Sequence, residues 1–264
     1  MEKLRFIFLF FVSLIVCYVK ADETLGIIED RIYRRNIQYP SDSLVEDAIN
    51  RMGDDGGYVD VDYTGSVNVQ WDAMRHLSRI SDIVYSYTTF GSGYYGKEEA
   101  LNKIIHGLQY WYNKNPKCNN WWYNYIGEPQ KMGIILVTME RGCTCLPTEL
   151  KNLLICRMAE QGGNPKDYSG ANRTDIALHW LYRACLTKDR DLLKQSLDFL
   201  YEPIKYSLEE GIQVDGSFFQ HGQQLYLGGY ADRFLTSVLD VCEYTTGTEF
   251  ELSHEKLDIL RFFF

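Results

Sequence analysis

The chain has 264 residues and a formal charge of −9 at pH 7, with 36 acidic against 27 basic side chains, and 45% of its residues are hydrophobic. This acidic balance excludes the electrostatic footprint of a nucleic-acid binder. The apolar share is enough to bury the core of one large domain, and no linker-like stretch divides the chain.

At the N-terminus, Lys3 and Arg5 precede the apolar run FIFLFFVSLIV, and Val19 and Ala21 then fit the small-residue rule for signal-peptide cleavage. Residues 1–21 are therefore expected to be a secretory signal rather than a membrane span, which sends residues 22–264 to the periplasm or beyond. Removing Lys3, Arg5, Lys20 and Glu2 takes the charge from −9 to −11. A lipid anchor at Cys17 is disfavoured by Val16 directly before it. The exported location permits disulfides. Cys143, Cys145 and Cys156 have no histidine or second cysteine pair at ligand spacing, so buried thiols or one disulfide are expected rather than a metal site.

Apolar residues recurring at three and four positions, with six prolines in the whole chain, predict helices nearly throughout. SDSLVEDAINRMG carries Ser43 and Glu46 in capping-box spacing and Gly53 where a left-handed cap would sit, so a short helix is expected there. Longer helices are expected at about Trp71–Tyr87, Lys97–Tyr112, Trp122–Met139, Thr148–Met158, Arg173–Leu186, Leu192–Leu208 and Tyr230–Thr245. LSHEKLDILRFFF adds an amphipathic segment that stops in mid-pattern, as a piece of a longer chain would. The opening stretch and the glycine-bearing connectors read as loops. Helix pairs joined this way stack into a bundle, a solenoid or an α/α toroid, and local pattern does not choose among them.

Functional residues are expected in the connectors, where function concentrates. Trp121 and Trp122 follow Asn119 and Asn120 at the start of a helix, where neighbours cannot both face one core. Flat rings with amides nearby hold sugar rings by stacking and hydrogen bonding, although tryptophans also simply pack between helices. Asn172 in SGANRTD fits an N-cap of a helix beginning at Arg173, and NRT is also a glycosylation sequon. DGSFFQHGQQLYLGGY places His221 and Tyr230 nine residues apart among glycines and glutamines, richer in hydrogen-bonding groups than a structural turn requires.

NNWWYNYIGEPQKMGIILVTM, SGANRTD and DGSFFQHGQQLYLGGY resemble, in order and spacing, the N-terminal catalytic domain of the family 8 polysaccharide lyases, which includes hyaluronate, chondroitin AC and xanthan lyases. The resemblance implies an all-α, incomplete α/α toroid over residues 22–264, cut short before the β-sandwich domains of the family. It implies catalytic roles for Asn172, His221 and Tyr230 and sugar contacts from Asn120, Trp121 and Trp122. It also implies an acidic polysaccharide substrate, cleaved by β-elimination with no metal and no cofactor. QHGQQL is closer to the chondroitin-cleaving branch. The family's further catalytic arginine and glutamate lie downstream of the matched motifs, and Arg233 matches no catalytic position.

Two other readings stand beside this one. A glycoside hydrolase on an α/α toroid needs two opposed carboxylates, for which Asp215 with Asp175 or Glu128 are candidates. A non-catalytic glycan-binding module would need Trp121 and Trp122 but not His221 or Tyr230.

Overall fold

The structure, a computed structural model, describes residues 23–37, 41–65, 70–142 and 146–263. The expected signal segment, Cys143 and Cys145 lie outside the described residues. Among those described, α1 (23–36), α2 (Asp42–Arg51), α3 (Met74–Thr88), α4 (Glu98–Lys114) and α5 (Glu128–Arg141) are followed by α6 (Thr148–Gln161), α7 (Gly170–Thr187) and α8 (Arg190–Tyr201). A hairpin of β1 (Gly211–Ile212) and β2 (Phe218–Phe219) then leads into α9 (Asp232–Thr245) and α10 (His254–Phe263).

Helices α3, α5, α7 and α9 pack in a row, each against the next, and α4, α6 and α8 lie against α3, α5 and α7. The link from α7 to α8 covers only Lys188 and Asp189, with Lys188 in a left-handed cap at φ 56°, so the two helices must run antiparallel. An inner row with each helix backed by its sequence neighbour is the incomplete α/α toroid. The mostly helical expectation holds, and the only sheet among the described residues has two strands of two residues each.

Two apolar cores sustain this arrangement. The larger joins the helices from α1 to α9 and contains fully buried Trp111, Tyr87, Ile28 and Leu108. The smaller lies under the hairpin, where Phe218 packs against Phe234 with ring centroids 5.2 Å apart and against Phe263 at 5.8 Å. Phe263 at the end of α10 thus supports β2. Phe218 is fully buried, and losing a buried phenylalanine ring costs about 3–5 kcal/mol.

The structure corrects three local expectations. The opening stretch is helix α1, because Leu25, Ile28 and Ile32 share one buried face. Helix α2 starts after Ser41 with Ser43 already inside it, and it stops at Met52, whose backbone turns extended to bridge Tyr58, leaving Gly53 without the expected left-handed role. The helix expected to run to Leu208 ends at Tyr201, since Pro203 has no N–H to give and its ring clashes with the carbonyl four residues back, although Glu202 before it is still in helical geometry.

Two buried histidines tie loops to helices. His76 Nε2 lies 2.9 Å from the Gly107 carbonyl and its Nδ1 lies 2.9 Å from the Tyr63 hydroxyl, joining α3, α4 and the loop before α3. His179 Nε2 lies 3.1 Å from the Gly163 carbonyl. Burial lowers His76 to about 4 and His179 to about 3. A histidine whose folded pKa is lowered binds protons more readily in the unfolded chain, so stability is lost as pH falls from the ordinary value of about 6.5 toward the folded value. Each imidazole is expected to remove roughly 2 kcal/mol between pH 7 and pH 5. Urea unfolding of His76→Gln and of His179→Gln should show that pH-dependent loss shrinking by about this amount. An unchanged slope in both variants would show that these rings accept protons inside the fold.

Candidate active site

The site grows from the hairpin. Asp215 Oδ1 accepts from the Ser217 backbone N at 3.0 Å and from its hydroxyl at 2.7 Å, closing the turn between β1 and β2. Beyond β2, Phe219 bridges Leu225 and the Gln220 N–H donates to the Gln224 carbonyl at 3.1 Å, so residues 220–225 form a tight return. His221 lies in that return at φ 58°, a left-handed conformation that is uncommon for a residue with a side chain and costs of order 1–3 kcal/mol unless its surroundings enforce it.

Residues Leu227–Ala231 then make a wide turn into α9, with Gly229 at φ 76°, ψ −83°, a backbone conformation open essentially to glycine. This turn closes the nine-residue gap. The Tyr230 hydroxyl lies 2.9 Å from His221 Nε2, and the two rings meet edge to face at 4.9 Å and 89°. Tyr226 stands edge-on to Tyr230 at 5.1 Å, completing a triad of rings. His221 is exposed and Tyr230 is half-buried. Partial burial chiefly raises the Tyr230 pKa, with Tyr226, Glu210 and Asp175 adding to the rise and Arg233 opposing it. At neutral pH the phenol is therefore protonated, and it shares a hydrogen bond along which a proton can pass.

Asn172 does not cap a helix beginning at Arg173. Helix α7 begins at Gly170 with Ser169 as its N-cap, so Asn172 lies in the first turn. It is buried, and its Oδ1 has no hydrogen-bond partner. Burial inside a helix removes the glycosylation reading, and an unpartnered buried amide oxygen is the kind of exception that calls for a functional account. Two links join its helix to the ring triad. The Ala171 N–H donates to Gln220 Oε1 at 3.3 Å, connecting the residue before Asn172 to the residue before His221. One turn later, Asp175 accepts from Arg233 Nε at 2.9 Å and from the Ser237 hydroxyl at 2.7 Å.

The adjacent tryptophans separate as the sequence implied. Trp121 is exposed and stacks on Tyr168 at 5.1 Å and 23°, with Tyr125 tilted beside it at 6.1 Å. Trp122 is half-buried beneath the Arg233 guanidinium, which lies 4.8 Å from its ring, and its backbone N donates to Asn120 Oδ1 at 3.0 Å. Arg233 thus connects Trp122 to Asp175. The structure brings His221 and Tyr230 into direct contact and joins Asn172 and Trp122 to them through neighbours, while Asn120 holds the turn below Trp122.

Sequence reasoning missed Tyr125, Tyr168 and Tyr226 as ring partners, and it missed the tie from Arg233 to Asp175. Only the aromatic enrichment hinted at them. The carboxylates required by a hydrolase are committed elsewhere. Asp175 is buried against Arg233, and Glu128 is buried and accepts from Trp111 Nε1 at 3.1 Å. Burial raises the pKa of both, and Asp215 is occupied by its own turn.

The description "Polysaccharide lyase family 8, N terminal alpha-helical domain" matches residues 34–264. A chondroitinase-AC of Pedobacter heparinus is 38% identical over 219 residues, covering 83% of this chain and 31% of its own length. A hyaluronate lyase of Enterococcus faecalis is 26% identical over 208 residues, covering 69% of this chain and 20% of its own length. Among solved structures, a chondroitinase AC lyase described with oligosaccharide complexes superposes with a TM-score of 0.87 at 36% identity, over 91% of this chain and 36% of that one. A Paenibacillus xanthan lyase shares the fold, with a TM-score of 0.72 at 20% identity over 92% of this chain and 23% of that one. The chain spans about a third of the length of its chondroitinase relative, and with a family match over residues 34–264 it belongs to polysaccharide lyase family 8.

Proposed function

We propose that the chain carries the site of an exported lyase that cleaves glycosaminoglycans of the chondroitin or hyaluronan type by metal-independent β-elimination. The observation that carries this reading is the hydrogen bond between His221 Nε2 and the Tyr230 hydroxyl, 2.9 Å long, held at the end of a backbone return. The 38% identity to a chondroitinase-AC supports the substrate class.

Elimination removes the proton at C5 of a uronic acid and breaks the C4–O4 bond. The C5–H electron pair becomes the C4–C5 double bond, and the departing O4 takes a proton. The C5 proton is hardly acidic while the neighbouring carboxylate keeps its full charge. The Asn172 amide would hydrogen-bond that carboxylate and let the developing enolate-like charge spread onto it. Tyr230 handles the proton transfers, and His221 relays or accepts the proton through their shared hydrogen bond. Trp121, with Tyr168 and Tyr125 behind it, offers the flat apolar face that a sugar ring stacks upon.

The reading is tested by incubating the chain, and separately a form extended past Phe264, with chondroitin, hyaluronan and xanthan while following the ultraviolet absorbance of the new double bond. Absorbance should rise on chondroitin and persist in the presence of a chelator. No rise on any of the three glycans with either form would overturn the assignment.

A further inference from the structure

We propose that Glu210 is a positioning residue, whose carboxylate clamps the loop carrying His221 to the start of the helix carrying Asn172. The inference rests on the lyase reading for its kinetic consequence and on geometry for the clamp itself.

The carboxylate accepts three hydrogen bonds. Oε1 takes the Gly222 backbone N–H at 2.9 Å, and Oε2 takes the Gln220 side-chain amide at 2.6 Å and the Ser169 hydroxyl. Gln220 and Gly222 are the residues immediately before and after His221. One side chain therefore holds both ends of the residue that sits in a left-handed conformation, and such a conformation persists where its surroundings over-determine it. Ser169 is the N-cap residue of α7, three positions before Asn172. Gln220, itself buried, extends the clamp by accepting from the Ala171 N–H.

Two further observations fit this role. Gly170 lies between the clamped residues at φ 50°, and a Cβ there would stand 2.6 Å from Gln220 Oε1, so this contact leaves no room for a side chain. Glu210 also forms no ion pair with a lysine or arginine among the described residues, although Arg173 and Lys205 line the same cleft of about 430 Å³ and pair with Glu202 instead. A carboxylate bound to neutral donors makes strong, directional hydrogen bonds, which suits a part that fixes geometry.

The test uses Glu210→Ala and Glu210→Gln beside wild type and Tyr230→Phe. Amide hydrogen exchange across residues 217–230 should quicken by about tenfold or more in Glu210→Ala while α3, α4 and α7 beyond its first turn keep wild-type protection. In the ultraviolet assay kcat should fall roughly 10²-fold, as expected when a catalytic group moves by about an ångström, with KM changed by less than about threefold. Glu210→Gln keeps one acceptor for Gly222 but turns an amide donor toward Gln220, so it should lie between wild type and Glu210→Ala in both measurements. If Glu210→Ala does not fold, Glu210→Gln decides by the same readouts.

Unchanged exchange in the loop overturns the proposal whatever the activity. Full kcat in a Glu210 variant overturns it when Tyr230→Phe is inactive. If Tyr230→Phe keeps full activity, or wild type shows none, the lyase reading has failed, and the exchange measurement alone decides whether Glu210 clamps the loop.

Discussion

Replacing Tyr230 with phenylalanine is expected to leave the chain folded while cutting elimination roughly 10²- to 10⁴-fold, the usual worth of proton transfer by a positioned group. The substitution removes one oxygen. The ring keeps its edge-to-face neighbours His221 at 4.9 Å and Tyr226 at 5.1 Å, and the lost hydrogen bond belongs to a half-buried hydroxyl beside an exposed imidazole, worth about 1 kcal/mol of stability. The loss should appear in kcat with substrate binding retained, because the substitution leaves the ring and its neighbours in place. Tyr226→Phe is the matched control. Tyr226 sits in the same triad of rings but matches none of the family's catalytic positions, so its variant should keep most of the rate. Near-normal turnover in Tyr230→Phe, followed by the absorbance of the new double bond, would make Tyr230 a structural residue.

Much of this arrangement was legible because the fold is periodic. The α4 and α9 segments repeat apolar residues at helical spacing, and their boundaries fall within two residues of expectation. What failed depended on signals that helical periodicity does not carry. Helix α1 has only a narrow buried stripe of Leu25, Ile28 and Ile32 among charged residues, so its stretch reads as a loop. The hairpin strands are two residues long, too short for any alternation to show. Apolar residues recur as far as Leu208 and predict a helix over Leu192–Leu208, and a single proline overrides that pattern.

The site divides in the same way. His221 and Tyr230 stood out because glycines and glutamines crowd around them, and that crowding marks a backbone forced into unusual conformations. Glu210 carried no such mark, since an acidic residue in an acidic chain is unremarkable until its partners are known. Tyr168 became a ring partner of Trp121 only through the packing of the segment before α7 against the segment before α5. Helix starts were misplaced where a glycine did the work. Gly170 opens α7 at φ 50°, and moving the start from Arg173 back to Gly170 changes Asn172 from a cap into a residue within the first turn.

That displacement makes Asn172→Asp a discriminating substitution, because a helical role and a chemical role give different turnover. In the first turn of α7 a carboxylate faces the positive end of the helix dipole, which favours it by about 0.3–1 kcal/mol. Asn172 is buried, so desolvation of the new carboxylate outweighs this gain and the thermal midpoint should fall whatever the residue's role, but were Asn172 present only to serve the helix, turnover by the folded chain would stay intact. In the proposed elimination the side chain donates an N–H to the substrate carboxylate. Aspartate has no such donor, and it sets a second negative charge where enolate-like charge must develop. Turnover of the folded chain, measured below its midpoint, is therefore expected to fall roughly 10²- to 10³-fold, the range seen when one donor to a developing oxyanion is removed. Binding of chondroitin oligosaccharides should weaken as well, since like charges now meet. Asn172→Ala separates the two losses, for it removes the donor without adding charge and should lower kcat with less effect on KM. An Asn172→Asp chain that turns over chondroitin at the wild-type rate would remove this residue from the mechanism and leave its unpartnered Oδ1 as a feature of packing alone.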